Sequence, residues 1–376
     1  MPIAVPRGRA FLSLAFATGL AFADAAFGDD LARCRLPEKG LRGDVGLGFP
    51  RNANRLPTTG ELHLAVLFVD FPDAPAPRAP EIAFSLISPL SEAFFSRVSY
   101  GKLKLVLEPH LHWTRMSKPV ADYQLHRGAD FLTHRAYLQE AITLTPDADY
   151  SRVQGVIVIT NPRVQAIDYG PAFTASPGFG VLAGGREILN GVTSGSDLMS
   201  WGWRWLPHEL GHAMSLVDLA SLKPEHSYWN SYVGDFSLMG NIAAPAREYF
   251  GWERWQLGWV EDSQVVCAGP ASLEAALTPI ERAGGNKIVV VPVTETRAVV
   301  VESRHPEGFD ERLSGSGLLV YVVNTEIGTY DGAIRVAPHS PDEQHYVSSL
   351  LTDGRSVTVE GVTVTALDGD RLHIEH

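Results

Sequence analysis

Residues Leu206–Asp218, LPHELGHAMSLVD, contain the pattern His-Glu-x-x-His. In a helix with 3.6 residues per turn, residues four apart lie on one face, so His208 and His212 can both reach one metal ion. Glu209 is rotated by about 100° around the helix axis, which places its carboxylate beside that ion, where a water molecule would bind. Two neutral nitrogen ligands, an open position and a nearby base are what a zinc hydrolase requires.

So short a motif also arises by chance in a chain with 13 histidines, so a third protein ligand is needed to support a metal site. Asp218 lies ten residues after His208. If the helix ends after His212 and the chain turns back, this carboxylate completes the set of three protein ligands that catalytic zinc sites use. The alternative interpretation is an ordinary polar residue at a helix end. The reserve ligands are Glu225, His226 and Glu248.

A second signal follows the motif at Asp235–Asn241, DFSLMGN. It has the form of a methionine turn, which would place the thioether of Met239 beneath the metal ligands. Taken alone, the pattern favours a core methionine before a Gly-Asn turn. A peptide hydrolase also needs a hydrogen-bond donor for the oxyanion that forms during the reaction. The candidates between the ligands and this turn are His226, Tyr228 and Tyr232.

The first residues are typical of an export signal. Arg7 and Arg9 precede an apolar run, and Ala21-Phe22-Ala23 forms a small-x-small cleavage site, so residues 1–23 are predicted to be a signal peptide. The run is too short for a stable membrane anchor, and the mature chain is expected to be secreted. The net charge of −12 argues against nucleic acid or an anionic membrane as a partner.

The order of apolar runs predicts an α+β fold with two domains after an irregular arm at residues 24–60. Residues 61–260 read as strand, helix, one or two strands broken by Pro109, helix, strand and metal helix, which indicates a mixed sheet in a catalytic domain. Residues 261–376 contain short β-rich runs separated by turns, which predicts a smaller all-β sandwich-like domain. The individual predictions are strands at 61–71 and 153–160, helices at 81–98, 129–144 and 200–217, and a glycine-rich loop at 162–195 that could form a substrate-binding edge.

Several segments together carry a family resemblance. They are LFVDFPD (67–73), SYGKLKL (99–105), HELGHAMSLVDL (208–219), DFSLMGN (235–241), REYFGWERWQLGWV (247–260) and VVVESRHPEGFDERLSGSGLLVYVVN (299–324). In these segments the chain resembles the immune inhibitor A-type secreted metallopeptidases, a metzincin-like family. The resemblance implies a zincin-like catalytic domain and a zinc endopeptidase. It also implies one zinc ion on His208, His212 and Asp218, Glu209 as the base and Met239 as the floor of the site.

One residue departs from the family pattern, because Ser215 stands where glycine is usual. Glycine there lets a helix end in a left-handed turn, and another residue costs roughly 1–2 kcal/mol in that conformation. A different helix end would move Asp218 away from the histidines. The alternative function is therefore an extracellular binding protein that holds zinc without catalysis, although an intact Glu209 beside an open position argues against it.

The remaining expectations concern partners and further ions. We expect a monomer that acts on protein or peptide substrates. A calcium ion is a further possibility, since carboxylate turns sometimes hold one, although solvated turns are the simpler interpretation. The candidate calcium ligands are Asp70, Asp73, Asp331, Asp368 and Asp370.

Two cysteines, Cys34 and Cys267, remain to be assigned. An even count in an exported chain favours a disulfide. A second interpretation comes from Arg33–Pro37, RCRLP, which is similar to the cysteine-switch segment of matrix metalloproteases, where a thiolate caps the zinc. Arg35 stands where that segment normally has glycine.

Overall fold

The structure is a computed structural model that describes Met1 and residues 27–39, 45–337 and 345–376. The expected signal peptide therefore lies outside the described residues, apart from Met1. The fold is mixed α and β, with several sheets and few helices. Within the described ranges, no helix is long and apolar enough to cross a membrane.

The elements are numbered in chain order. The helices are α1 (Phe27–Cys34), α2 (Pro80–Phe84), α3 (Leu90–Val98), α4 (Phe131–Thr143), α5 (Asp197–Trp201), α6 (Trp205–Ala213) and α7 (Gly251–Gln256). The strands are β1 (Gly60–Asp70), β2 (Leu103–Arg115), β3 (Gly155–Thr160), β4 (Ala172–Thr174), β5 (Val181–Ala183), β6 (Arg186–Ile188), β7 (Asn190–Thr193), β8 (Val265–Cys267), β9 (Leu273–Ala276), β10 (Ile288–Pro292), β11 (Arg297–Arg304), β12 (Gly317–Asn324), β13 (Ile334–Ala337), β14 (Ser356–Val359), β15 (Val362–Ala366) and β16 (Arg371–Glu375).

The first sheet has the strand order β2-β1-β3-β7-β4. Its first four strands run parallel, and β4 pairs antiparallel with β7 at the edge. Parallel neighbours need crossover connections, which α2 and α3 provide between β1 and β2, and α4 provides between β2 and β3. The predicted mixed sheet is therefore present.

Strand β1 is buried on both faces, as its unbroken apolar run predicts. Val66 and Phe68 point into a core shared with α3 and α6, whereas Leu67 and Val69 point into a second core shared with α4. Successive side chains of a strand alternate between faces, so one strand supplies both cores. Helix α6 consequently lies on the face of the sheet opposite α4.

The loop prediction for residues 162–195 is wrong. This segment contains β4, β5, β6 and β7, and β7 joins the first sheet in parallel with β3. Each of these strands has only three or four residues. In so short a run between glycines, the alternation of apolar and polar residues is too brief to predict a strand. Such a segment becomes a strand only through pairing with distant parts of the chain.

Two predictions for segments that contain proline are also wrong. The helix expected at 81–98 is split into α2 and α3, with Pro89 at the N-cap of α3, because proline lacks the N–H that a helix interior needs. By contrast, Pro109 does not break β2, which runs as one strand with a register irregularity opposite Val66 and Phe68. Strand β2 is an edge strand, and an edge strand tolerates a residue that cannot donate to the ladder.

The region after residue 261 forms two further sheets, with strand orders β13-β12-β11-β10-β8 and β14-β15-β16-β9. Val299 and Val301 of β11 pack into a core shared with the four-stranded sheet. Ala298 and Val300, on the other face of β11, join the core that contains α6 and α7. The five-stranded sheet that contains β11 is called the middle sheet. It is covered on both faces and connects the four-stranded sheet to the helix that carries the motif.

The two cysteines form a disulfide, which settles the alternatives left open by the sequence. Cys34, at the end of α1, is bonded to Cys267, at the end of β8, across 233 residues of chain. Neither sulfur is a free thiol. The cysteine-switch interpretation is therefore wrong, and the disulfide is of the kind that persists in an oxidising compartment.

Arg304 is a fully buried charge that joins the middle sheet to the segment Asp235–Asn241. Its guanidinium lies 2.5 Å from Glu302 and 2.6 Å from Asp310. It also donates a hydrogen bond to the carbonyl oxygen of Phe236 at 3.1 Å. Burying charges is costly unless they are paired and hydrogen-bonded, and here every polar edge of the guanidinium has a partner.

Candidate metal centre

Helix α6 carries polar side chains into the interior. Eight of its nine residues are buried, including His208 and Glu209, and only His212 is partly exposed. Ionisable groups in such a position need partners or a ligand to offset their lost hydration. The helix packs between the first sheet and the segment Asp235–Asn241.

Both histidines are held in one tautomer by the backbone. Nδ1 of His208 donates to the carbonyl oxygen of Leu238 at 2.9 Å, and Nδ1 of His212 donates to that of Leu216 at 2.9 Å. With Nδ1 protonated in each ring, each Nε2 carries the free lone pair. This is the hydrogen-bond arrangement that orients histidine as a metal ligand.

The end of α6 turns the chain back toward the histidines. Ser215 N–H donates to the carbonyl of His212 at 2.9 Å, and Leu216 N–H donates to that of Gly211 at 2.9 Å. This pair of bonds defines a Schellman motif, whose C′ residue must have a positive φ. Ser215 occupies that place with φ of 98°. The serine therefore takes the turn that glycine usually provides, and the departure from the family pattern does not move Asp218 away.

Replacing Ser215 by glycine should stabilise the protein. The left-handed conformation costs a residue with a side chain about 1–2 kcal/mol, and glycine returns about 0.5–1 kcal/mol of this through its more disordered unfolded state. We expect a net gain of about 0.5–1 kcal/mol in the free energy of unfolding, measured in urea. The matched control is Ser85→Gly, at φ of −63°, which should lose stability. A loss at both positions would show that Ser215 stores no backbone strain.

The turn brings Asp218 to the histidine pair. Its Oδ2 lies 3.9 Å from Nε2 of His208 and 3.9 Å from Nε2 of His212. The three ligand atoms all lie within 4.8 Å of one another. Oδ1 of the same carboxylate accepts the N–H of Ala220 at 3.0 Å, which fixes its rotation.

The donor set fits a zinc ion. The Nε2 atom of His208 is buried and has no hydrogen-bond partner among the described residues, which is a costly state for a nitrogen lone pair without a ligand. Burial, followed by the charge of His212, lowers the pKa of His208 to about 4, so its ring is neutral as a ligand must be. Separations of 3.9 Å exceed the roughly 3.4 Å of a tetrahedral site with bonds near 2.0–2.1 Å by only a few tenths of an ångström.

Met239 packs against helix α6. A Cβ atom at Gly211, between the two histidines, would come within 2.5 Å of Sδ of Met239. The Met239 carbonyl oxygen accepts the N–H of Leu219, and its own N–H is bonded to Oγ of Ser237. The methionine is a fully buried core residue against the motif helix, and its role as the floor of a metal site stays a prediction.

Glu209 faces the same space from the neighbouring helical position. Burial raises its pKa well above the ordinary value, and the negative charges of Asp197 and Asp218 raise it further. A hydrogen bond with the backbone of Ala172, in β4, acts in the opposite direction. A positive charge at the three ligand atoms would favour the ionised carboxylate that a base requires.

The role of the sequence-based oxyanion candidates stays a prediction. Nδ1 of His226 is bonded to Oγ of Ser221 at 2.6 Å, and its ring packs on Tyr232. The hydrogen bonds and ring contacts of His226, Tyr228 and Tyr232, among the residues described, involve none of the ligands.

The reserve ligands are also placed elsewhere. Glu248 is buried against Arg254, with 2.5 Å between the charged atoms, and Glu225 is exposed. Together with the serine contact of His226, this leaves Asp218 as the carboxylate that meets the histidine pair.

Three residues that sequence reasoning missed lie around Glu209 and Asp218. Burial raises the pKa of Tyr169, with further contributions from the charges of Glu209 and Asp218. Burial likewise raises the pKa of Tyr330, which also hydrogen-bonds Asp218. The cation of Arg127 acts on both tyrosines. These three residues come from loops far apart in the chain, so no local sequence pattern predicts that they lie near the site.

The calcium candidates are engaged in other contacts. Asp70 pairs with Arg115, Asp331 with Lys223 and Asp368 with Arg371. Asp73 accepts the N–H of Val120, and Asp370 contacts Ser303 and His305. Among the described residues, none of these carboxylates belongs to a group of three metal-ligating side chains.

Neither a scan against models of known protein families nor a search of curated proteins gave a match for this chain.

Replacing Asp218 by alanine should weaken zinc binding by about 10²-fold or more, since loss of even an outer partner of a ligand costs 10–100-fold. The measurement is a competitive titration against a zinc-binding dye. The control is Asp331→Ala, an exposed carboxylate beside Tyr330, which should keep the wild-type affinity. Equal affinities for both variants would remove Asp218 from the ligand set.

Proposed function

We propose that the chain is a secreted zinc endopeptidase of the immune inhibitor A type, with zinc held by His208, His212 and Asp218. The observation that carries the proposal is the convergence of two Nε2 atoms and one carboxylate oxygen, with each Nδ1 fixed by a carbonyl. A glutamate beside that group is the feature that favours catalysis over a purely structural metal.

Zinc bound there would lower the pKa of a water molecule to about 7 and polarise the substrate carbonyl. Glu209 takes the proton from the attacking water and returns it to the nitrogen of the leaving amine. The hydroxyl of Tyr169 stays protonated, because burial, helped by the charge of Glu209, raises its pKa, and it can donate to the oxyanion.

The edge of the first sheet supports a peptide as the substrate. Strand β4 is the last strand in that sheet, and its Ala172 contacts Glu209. An extended peptide can add to such an edge through backbone hydrogen bonds, which gives affinity without demanding one sequence. The segment that we expected to be a substrate-binding edge thus lies beside the proposed base.

The test is cleavage of an unfolded, fluorescently labelled protein by the purified mature chain. We expect cleavage to stop when a zinc chelator removes the metal and to return when one equivalent of zinc per chain is added. Cleavage that ignores the chelator would overturn the zinc mechanism. A protein that holds one zinc and cleaves nothing would favour the alternative, an extracellular zinc-containing binding protein.

A further inference from the structure

Arg127 is a cation held in place by an aromatic ring. It lies in the segment between the 3-10 turn at Val120–Tyr123 and helix α4. Its guanidinium carbon is 4.2 Å from the ring centroid of Tyr169, within cation–π range. The side chain is exposed, and no carboxylate pairs with it in the parts of the chain that the structure describes. Stacking therefore orients this charge without neutralising it.

The ring that holds Arg127 belongs to the segment that leads to the candidate metal centre. Tyr169 lies three residues before Ala172 of β4, whose backbone hydrogen-bonds Glu209. The positive charge of Arg127 also contributes to the electrostatics of Glu209, Tyr169 and Tyr330, and such contributions weaken with distance and with screening by solvent.

The carboxylates around the candidate metal centre have partners other than Arg127. A divalent ion on the three ligands balances the carboxylates of Asp218 and Glu209. The third carboxylate, Asp197, is buried and accepts N–H groups from Gly170, Gly195 and Leu198. Asp168, the exposed carboxylate beside Tyr169, forms no ion pair with Arg127 in the described parts of the chain, so Arg127 remains an unpaired positive charge at the surface, in a chain whose net charge is −12.

We propose that Arg127 binds a carboxylate of the substrate beside the scissile bond, so that the enzyme prefers to cleave next to aspartate or glutamate. This inference rests on the proposed peptidase function. A guanidinium presents a planar set of N–H donors that matches a carboxylate with two parallel hydrogen bonds. The N–H groups of Arg127 donate no hydrogen bond to another described residue, so they are available to a side chain arriving from solvent.

The test uses peptides that differ only by glutamate or glutamine, placed in turn at each of the three positions on either side of the scissile bond. For the wild-type protein, kcat/KM should be about tenfold higher with glutamate at one position. Arg127→Gln should bring this ratio to about one, and Arg127→Glu should favour a lysine peptide instead. The matched control is Arg152→Gln, an exposed arginine just before β3 that pairs with Glu108, and it should keep the wild-type ratio.

Binding provides a readout that does not need turnover. Fluorescence anisotropy measures the dissociation constant of the glutamate peptide in the inactive Glu209→Gln variant. Adding Arg127→Gln to that variant should raise this dissociation constant about tenfold. Equal kcat/KM for glutamate and glutamine at every position would overturn the role of Arg127 and leave the peptidase intact. A zinc-loaded protein that cleaves no peptide would overturn the proposed function. In that case, equal binding of both peptides would reject the role of Arg127 as well.

Discussion

Replacing Glu209 by glutamine is expected to lower kcat/KM for peptide cleavage by about 10³-fold, within the range for loss of a general base. Glutamine keeps the shape of the side chain and cannot accept the proton of the attacking water. Glu209 is not one of the three converging ligands, so the variant should retain one zinc per chain. The measurements are initial rates on a quenched fluorescent peptide, with zinc content by atomic absorption.

The matched control for this prediction is Glu225→Gln, which changes an exposed carboxylate of the loop after the ligands. Its rate should stay within about twofold of the wild type, as expected for a surface substitution away from the site. If Glu209→Gln keeps more than a tenth of the activity while holding zinc, the base is a different residue. If it loses its zinc, the comparison reports on metal binding, and Glu209 has a supporting role at the ligands.

Arg304→Met is expected to reduce the free energy of unfolding by about 3–5 kcal/mol, because removing one partner of a buried ion pair leaves charges uncompensated. Glu302 and Asp310 would both lose their guanidinium, and the carbonyl of Phe236 would lose a donor. Phe236 precedes the turn that carries Met239, so zinc affinity should fall as well. Urea denaturation, monitored by tryptophan fluorescence, measures the stability.

The control for this prediction is an exposed arginine, which tests whether the loss comes from the buried position of Arg304 and not from removing any arginine. Arg371→Met breaks contacts of 3.0 Å with Glu274 and Asp368, in which Arg371 is about half exposed, and it should cost less than about 1 kcal/mol. Adding Glu302→Gln to Arg304→Met should restore part of the loss, since it removes one of the uncompensated charges. Equal costs for Arg304→Met and Arg371→Met would contradict a structural role for the buried pair.

Elements defined by their own sequence could be predicted. Strands β1 and β3 are long apolar runs, and helix α4 has a periodic pattern, so their types were clear and their ends differed by only one or two residues from the structure. Strands β4 and β7 could not be predicted, because pairing with distant strands, and not local propensity, makes them strands. The sequence also predicted too long a metal helix at 200–217, since the Schellman motif ends α6 at Ala213.

The candidate site divides in the same way. His208, Glu209 and His212 follow from helical periodicity, and Asp218 required only that the chain turn back after the helix. That turn depended on whether Ser215 would accept a positive φ, which a sequence pattern cannot decide. Groups delivered by other loops, such as Arg127, have no spacing relation to the motif and were missed for that reason. The oxyanion candidates are near the ligands in sequence, but among the described residues no hydrogen bond or ring contact joins them to a ligand, so their role stays a prediction.

The central claim is that His208, His212 and Asp218 bind one zinc ion, and anomalous diffraction at the zinc edge tests it most directly. Crystals of the zinc-loaded protein should show a single strong peak about 2.0–2.2 Å from Nε2 of each histidine and from an Asp218 carboxylate oxygen. Carboxylate oxygens of Glu209 should lie outside bonding distance of that peak. A peak at other residues, or none at this site in a protein that still cleaves peptides, would contradict the account.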